Sequence, residues 1–383
     1  MFVNLAYLLK RPTGTTSYAL NLLPYIEALS PVYLATPASG LAERLPDGLA
    51  SAPSNRANYR SVPTNMTAEN GTAGHLRRLL WTQFQLPKLI TPKRTSQSSL
   101  LFTPIPEAPL SFFESRPSFR SIVTFHDLIP LRFPHEFGAI KHYYRYYVPQ
   151  VLAQAKKVIC NSEATARDVT DFYGIPAHKL VPIPLAYDAK HFRPVSARPN
   201  FPQALSLTNT PYFLTLGRQA PYKNIGAVIT ALAQVPDCQL VIAGPIDPRY
   251  TPELEKLAVE KGVRSRVKFL SYVPYSQLPA LLSHAIALVF PSLWEGFGLP
   301  VLEAMACGTP VIASKVASLP EVTGDAAYLI DPGNMQTMVG AMSAIATDNT
   351  TQQQLRKAGL QRVRAFSWEK TGQATVEVLQ PFV

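Results

Sequence analysis

The stretch Phe290-Pro-Ser-Leu-Trp-Glu-Gly-Phe-Gly-Leu-Pro-Val-Leu-Glu-Ala-Met-Ala-Cys-Gly-Thr-Pro-Val-Ile-Ala-Ser314 decides the fold. An apolar run ends near Phe290, and a turn carrying Glu295, Gly296 and Gly298 follows it. A helix then opens with Pro300 at its first position, where the missing N–H would have no partner anyway. Gly308 stops that helix, and residues 310–313 form the next apolar run. Strand, glycine turn, helix, strand is the unit that joins two parallel strands.

The same alternation extends in both directions. Short apolar runs at 212–217, 239–244, 267–270, 285–290 and 327–330 are separated by helical patterns at 224–235, 252–261, 276–284 and 300–307. A further helix is opened by Ser318-Leu-Pro-Glu321, whose spacing matches a capping box. Strands of four to six apolar residues alternating with helices imply a parallel sheet covered on both faces, a Rossmann-like domain. The N-terminal half repeats the idea less regularly, with strand patterns at 2–9, 32–35, 99–103, 121–125 and 157–160. Its helical patterns lie at 15–28, 141–155 and 162–173, and 42–97 reads as long loops with one or two irregular helices. Residues 192–211, rich in Pro, Ser, Asn and Thr, read as the linker. The expected fold is α/β, with one domain over 1–195 and a second over 196–366. In such a pair a ligand cleft lies at the C-terminal ends of the strands.

Composition removes other classes. Of 383 residues 47% are hydrophobic and 16% charged, which excludes wholesale disorder. Cys160, Cys238 and Cys307 are too few and too scattered for a disulfide framework or a paired-cysteine zinc site, and they fit a reducing, cytoplasmic setting. No apolar run reaches the ~18 residues that would span a membrane. Lys10 and Arg11 follow the first apolar run, whereas a secretory signal has its cations before it. The net charge of +11 is unevenly placed: residues 1–200 hold 22 Lys and Arg against 12 Asp and Glu, and residues 201–383 hold 14 against 13. The two halves therefore face different partners.

The chemistry gathers around the quoted stretch. Gly296 and Gly298 let a ligand approach the backbone, and the helix start offers free N–H groups and a positive dipole end, an anion site suited to a diphosphate. Glu303, read as lying in the first helical turn, is placed to hold a sugar diol, and Glu295 in the loop a second set of hydroxyls. Arg218 and Lys223 stand between the end of one strand and the start of the next helix, where two cations would neutralise charge on a departing nucleotide. His126 directly follows the 121–125 strand, and Gly14 lies between the first strand and its helix.

With these residues in view, the sequence resembles the retaining glycosyltransferases of the GT-B fold, family 4. Glu295 and Glu303 match the Glu-x7-Glu motif of that family, Gly217-Arg218 with Lys223-Asn224 its Gly-Arg…Lys-Asn stretch, His126-Asp127 its His-Asp, and Gly14 its glycine loop. Two departures are visible: Thr15 stands where a second glycine is common, and Ser271 where the family often has Gly. The resemblance implies donor contacts from Gly14, Arg218, Lys223, Glu295, Gly296, Phe297, Gly298, Leu299 and Glu303, with His126, Glu295, Arg218 and Lys223 serving catalysis. It implies front-face transfer of a hexose from a nucleotide sugar (GDP-mannose or UDP-hexose type) to a glycan or lipid-linked acceptor, with the leaving phosphate helping to deprotonate the acceptor hydroxyl. It also implies a last helix, 367–383, that returns to the first domain.

No cofactor is expected beyond the donor, and no metal, since no Asp-x-Asp occurs in the chain. The basic half points to an anionic membrane surface or a phosphate-bearing acceptor. Residues 75–94 carry five Lys and Arg and no acid beside Leu79, Leu80, Trp81, Phe84 and Leu86, a composition that lies on an anionic bilayer or packs as an ordinary helix. The enzyme would then sit in the cytoplasm, peripheral to the membrane. A nucleic-acid binder would share the charge but leave the paired glutamates idle, and a dinucleotide oxidoreductase would need Gly-x-Gly-x-x-Gly after the first strand. A sugar-nucleotide epimerase of the same fold remains a competing reading.

Overall fold

A computed structural model of the protein describes residues 1–8, 14–36, 58–91, 98–110, 119–196 and 210–383. They form two units, each built on a parallel sheet. The first comprises Met1–Arg132, Phe137–Leu185 and Trp368–Val383, and the second Phe133–Glu136 and Ala186–Ser367.

In the first unit the strands are β1 (Phe2–Leu5), β2 (Val32–Ala35), β3 (Tyr59–Ser61), β4 (Ser99–Thr103), β5 (Phe119–Phe125), β6 (Lys157–Cys160) and β7 (Leu180–Pro182). Their order is β3-β2-β1-β4-β5-β6-β7, every pair parallel. Strands buried on both faces have no polar side to alternate with, which is why β4 reads Ser-Leu-Leu-Phe-Thr. Leu101, Val123, Phe125 and Val158 make the centre of one core, with Trp81 and Leu86 packed into it. The helix Gly14–Ile26 carries the last helix, Trp368–Leu379, and that contact fixes a glycine: a Cβ on Gly372 would stand 2.2 Å from the Tyr25 ring.

The second unit has β8 (Tyr212–Leu216), β9 (Gln239–Ala243), β10 (Val267–Leu270), β11 (Ala287–Phe290), β12 (Val311–Ser314) and β13 (Tyr328–Ile330), ordered β10-β9-β8-β11-β12-β13 and again all parallel. Its core is centred on Phe213, Leu240, Ile242, Val289 and Ile312. The order reverses at β8, whose next neighbour is β11, and such a switch point is where open parallel sheets bind ligands.

The structure differs from the pattern reading in several places. The chain leaves the first unit at Leu185, ahead of the 192–211 stretch, because residues after it already pack on the second: the Val195 amide donates to Ser283 Oγ at 3.0 Å, and His191 stacks on Tyr275. Residues 197–209 of that expected linker, and 42–57 and 92–97 of the expected long loops, lie outside the described residues. Within 42–97 the chain forms β3 and a regular helix, Gly71–Phe84, followed by Leu86–Ile90. The helix expected over 141–155 is three pieces, with a π turn at Tyr143–Tyr147 that brings the Tyr143 and Tyr147 hydroxyls to the carbonyls of Pro106 and Ala108. Among the described residues no helix is long and apolar enough to cross a membrane.

Candidate functional site

The β11-to-helix loop sits next to the β8 strand end. Gly298 takes φ +100°, so the helix begins at Leu299 with Pro300 second, one place later than the sequence suggests. A side chain at Gly298 would meet Leu319 Cδ2 at 2.7 Å, so both backbone angle and space require glycine there. Glu303 is consequently in the second turn and not the first. It makes no dipole-complementing contact at the helix start, and burial pushes its carboxyl up to about 7. Phe297 is buried, with its ring against Phe366, 6.0 Å between centroids. Gly296 is buried beside it.

The loop is tied to the β8 end by a charge pair. The chain leaves β8 through Gly217 and Arg218 and makes a short 3-10 turn, Pro221–Lys223. Lys223 Nζ donates to Glu295 Oε1 at 2.5 Å, with both side chains largely buried. The ammonium also lies 4.8 Å from the centre of the Phe290 ring and 5.3 Å from that of Tyr222. The Leu293 amide donates to the Tyr222 carbonyl at 2.8 Å, so backbone as well as side chain joins the two segments. Asn224 ends the turn at φ 55° and donates through Nδ2 to Pro332 O, which fixes where the next helix, Ile225–Leu232, starts.

Arg218 is exposed at the strand end, in the field of Asp247 and Glu136. Asp247 holds Arg249 through two guanidinium bonds, which lower its carboxyl to about 2. Burial raises the Glu136 carboxyl above the usual range against the opposing pull of the Tyr222 amide and of Arg218 and Arg249. The ends of β8 and β9 touch: a Cβ on Gly244 would stand 1.8 Å from Gly217 O. Lys223, Glu295, Gly296, Phe297, Gly298, Leu299, Glu303 and Arg218 thus all belong to one unit, on the strand ends of one sheet and the turns that follow them.

His126 and Gly14 belong to the other unit. His126 follows β5, and its Nε2–H donates to Pro104 O at 2.9 Å, since a carbonyl only accepts. Burial lowers the ring to about 4, so near neutrality it is uncharged with Nδ1 as an acceptor. Its ring stands edge-on to Tyr18, whose hydroxyl pairs with Thr124 Oγ1. Gly14 is the first residue of its helix, and among the described residues a Cβ there would meet nothing within 4 Å. The residue before it, Thr13, lies outside the described residues.

Two family models cover most of the chain: residues 12–191 match Glycosyltransferase Family 4, and residues 197–362 match Glycosyl transferases group 1. The chain is 31% identical over 267 residues to the O-antigen chain mannosyltransferase B of Escherichia coli, covering 67% of this chain and 69% of the relative. The protein belongs to glycosyltransferase family 4. It is 28% identical over 275 residues to the serotype-specific mannosyltransferase WbdA of Escherichia coli, 67% of this chain but only 33% of that longer protein. Among solved structures, that of HepE from Anabaena in complex with UDP-glucose superimposes with a TM-score of 0.74 at 18% identity, covering 100% of both chains. That likeness shows the fold, two Rossmann-like domains of the GT-B type.

Several residues of this glycosyltransferase escaped the pattern reading. Ser318 is one: its hydroxyl does not cap the helix Leu319–Thr323 but donates to Glu295 O (3.0 Å) and Phe297 O (2.9 Å). A capping box and a loop brace have the same sequence, so spacing alone does not separate them. Gly244 was visible as a glycine closing a strand, but its partner Gly217 only becomes adjacent through the β8–β9 register. Glu107 and Arg78 form a buried bidentate pair, with Arg78 also donating to His75 Nδ1. A buried Arg on an otherwise amphipathic helix gives no signal until its partner is known.

Proposed function

We propose that this glycosyltransferase is a retaining, metal-independent hexosyltransferase that uses a nucleoside-diphosphate hexose, of GDP-mannose type, to extend a glycan or lipid-linked acceptor. The Lys223–Glu295 pair carries the reading. It places a cation and a carboxylate together ahead of a helix start, on the segment that follows the exposed Arg218. A diphosphate is recognised by such cations, and a sugar's hydroxyls by such a carboxylate. The names of the Escherichia coli relatives favour mannose as the transferred sugar.

In the reaction the bond between the sugar C1 and the diphosphate oxygen breaks, and a bond from C1 to the acceptor oxygen forms on the same face. The acceptor's proton goes to the leaving phosphate oxygen. Arg218 and Lys223 stabilise the charge that grows on the diphosphate. Glu295 orients donor hydroxyls and stabilises positive charge on the sugar ring, and Glu303 anchors the ribose diol. His126, neutral, accepts a sugar hydroxyl at Nδ1. Arg218 and Lys223 fill the electrostatic role a divalent cation would otherwise take. Incubation with a panel of nucleotide sugars and acceptors tests the whole reading. Acceptor-dependent release of GDP with retained anomeric configuration supports it. A changed sugar with the nucleotide still attached would mean epimerisation instead, and activity abolished by chelation would remove the metal-independent part.

The partner of the basic half is, in this reading, the anionic cytoplasmic face of a membrane. Exposure supports a different set of anchors from the composition alone: Trp81 and Leu86 are buried, whereas Leu76, Leu80 and Phe84 are 57%, 50% and 64% exposed, one stripe on the helix Gly71–Phe84. Tyr146, 60% exposed, continues the stripe across a groove of about 320 Å³ lined by Leu79, Leu80, Leu110 and Tyr147. The stretches 71–91 and 137–162, which supply most of this surface's described residues, contain no Asp or Glu and present Arg77, Lys88 and Arg145 to solvent. Apolar anchors among cations without acids are the composition of an interfacial helix. Co-sedimentation with phosphatidylglycerol vesicles at low salt should capture the wild type and not Leu80→Ser/Phe84→Ser; equal capture of both would refute the surface.

A further inference from the structure

We infer that Ser318 is a positioning residue for catalysis, acting through the main chain of Glu295. The inference rests on the role given to Glu295 above. Ser318 is fully buried, and its one hydroxyl proton is shared between the carbonyls of Glu295 and Phe297, on either side of Gly296. Both carbonyls are thereby drawn to the same side of the loop, which curves the backbone around Gly296.

The neighbours of Ser318 reinforce the brace. Leu319 fills the space a side chain at Gly298 would need, and Ala317 holds φ +54°, a left-handed conformation that non-glycine residues adopt rarely, to bring the turn in. The loop's other end is tied by the Leu293 amide to Tyr222, and the Glu295 carboxylate is held by Lys223. Glu295 is therefore fixed at three points: loop entry, side chain and carbonyl. Only the last depends on Ser318. A helix of five residues gains little from a cap, and here the hydroxyl at its N-cap position is committed to the loop instead.

Loss of that hydroxyl leaves two carbonyls without their buried donor. Because a displacement of about 1 Å at a reacting group costs about a hundredfold in rate, Ser318→Ala should lower kcat by about 10–100-fold while the donor KM moves by less than about threefold. The deciding measurement is a double-mutant cycle with Glu295→Gln. If Ser318 acts through Glu295, Ser318→Ala costs less than about threefold in kcat once Glu295 is already Gln. Equal losses in both backgrounds overturn the inference, as does full activity of Ser318→Ala. If the Ala variant does not fold by circular dichroism, Ser318→Cys, which keeps volume and a weak donor, goes through the same cycle with an intermediate loss expected and additivity again refuting. A Glu295→Gln enzyme at wild-type rate would instead refute the role of Glu295, a distinct outcome.

Discussion

Replacing Lys223 by Met keeps an unbranched side chain, one atom shorter, and removes its charge, and the consequence follows from the geometry. Lys223 Nζ and Glu295 Oε1 are 2.5 Å apart, and only 14% and 10% of the two side chains is exposed. At an effective dielectric of about 20, unit charges at that separation attract by about 6–7 kcal/mol. Desolvation of both groups offsets much of this, so the intact pair adds little net stability. Breaking it is another matter, because the remaining carboxylate stays buried without its counter-ion, at a cost of about 3–5 kcal/mol. In a domain of 150–250 residues each kcal/mol moves the midpoint by about 2–4 °C, so Lys223→Met should lower the melting of the second unit by about 6–20 °C.

Differential scanning calorimetry reads this directly, with the double variant Lys223→Met/Glu295→Gln as the decisive control. With both charges gone nothing is left unpaired, and most of the lost stability should return. Lys223→Met costing less than about 1 kcal/mol, or a double variant as unstable as the sum of the singles, would refute the pairing. The same pair predicts a separation of binding from transfer. In the proposed reading the diphosphate and Glu295 compete for Lys223, which the resting structure pairs with Glu295. Glu295→Gln should therefore bind GDP more tightly than wild type while transferring sugar more slowly.

Three other outcomes follow from the site. Burial raises the Glu303 carboxyl to about 7, above its unfolded value, so its contribution to stability falls as pH rises from the usual carboxylate range through 7; in the proposed role a ribose diol favours the ionised form, so GDP binding below pH 7 should release more protons from the wild type than from Glu303→Gln in calorimetry. Gly244→Ala, whose Cβ would stand 1.8 Å from Gly217 O, should unfold the second unit in a urea titration, whereas Gly14→Ala, with nothing within 4 Å among the described residues, should leave the urea midpoint unchanged or slightly higher. Arg218→Ala should slow transfer by about 100–1,000-fold in a GDP-release assay, the loss typical of one donor to a developing charge, with Arg218→Lys recovering part of it.

How much of this was legible in the sequence depends on whether a residue's role is local. The parallel sheets were readable because a strand buried on both faces must be apolar throughout, as in Leu240-Val-Ile-Ala243, and each such run announces itself without reference to any other. The glycine turn from Glu295 to Gly298 was readable for the same reason. Roles set by pairing across the sheet were not. Nothing near Ser318 distinguishes a cap from a brace, and the partner of Arg78 lies 29 residues away at Glu107. The start of the helix after Gly298 was misplaced by one residue, because Pro300 is equally at home at the first or second position. That one residue, with the helix count, moved Glu303 from the first turn to the second.

The uneven charge of the chain acquires a structural meaning at this point. In the second unit Lys223 and Arg218 face acids of the same unit: Lys223 is paired with Glu295, and Arg218 lies in the field of Glu136 and Asp247. An anionic donor entering such a site exchanges one partner for another and does not need a general positive field. The first unit handles its charge differently. Arg78 is neutralised inside by Glu107, and Arg132 is paired with Asp168, whereas the stretches 71–91 and 137–162 carry cations and no Asp or Glu of their own. Of these cations, Arg77, Lys88 and Arg145 are exposed, as are Leu76, Leu80 and Phe84. Charge compensated within a site fits a ligand that binds and leaves many times. Charge left uncompensated over a broad apolar face fits a partner that supplies many anions at once, and a bilayer of anionic lipid is such a partner. Neutralising Arg77 and Arg145 should therefore weaken vesicle binding and its salt dependence while leaving GDP affinity unchanged, and a parallel loss of both would show that the two halves do not divide the work in this way.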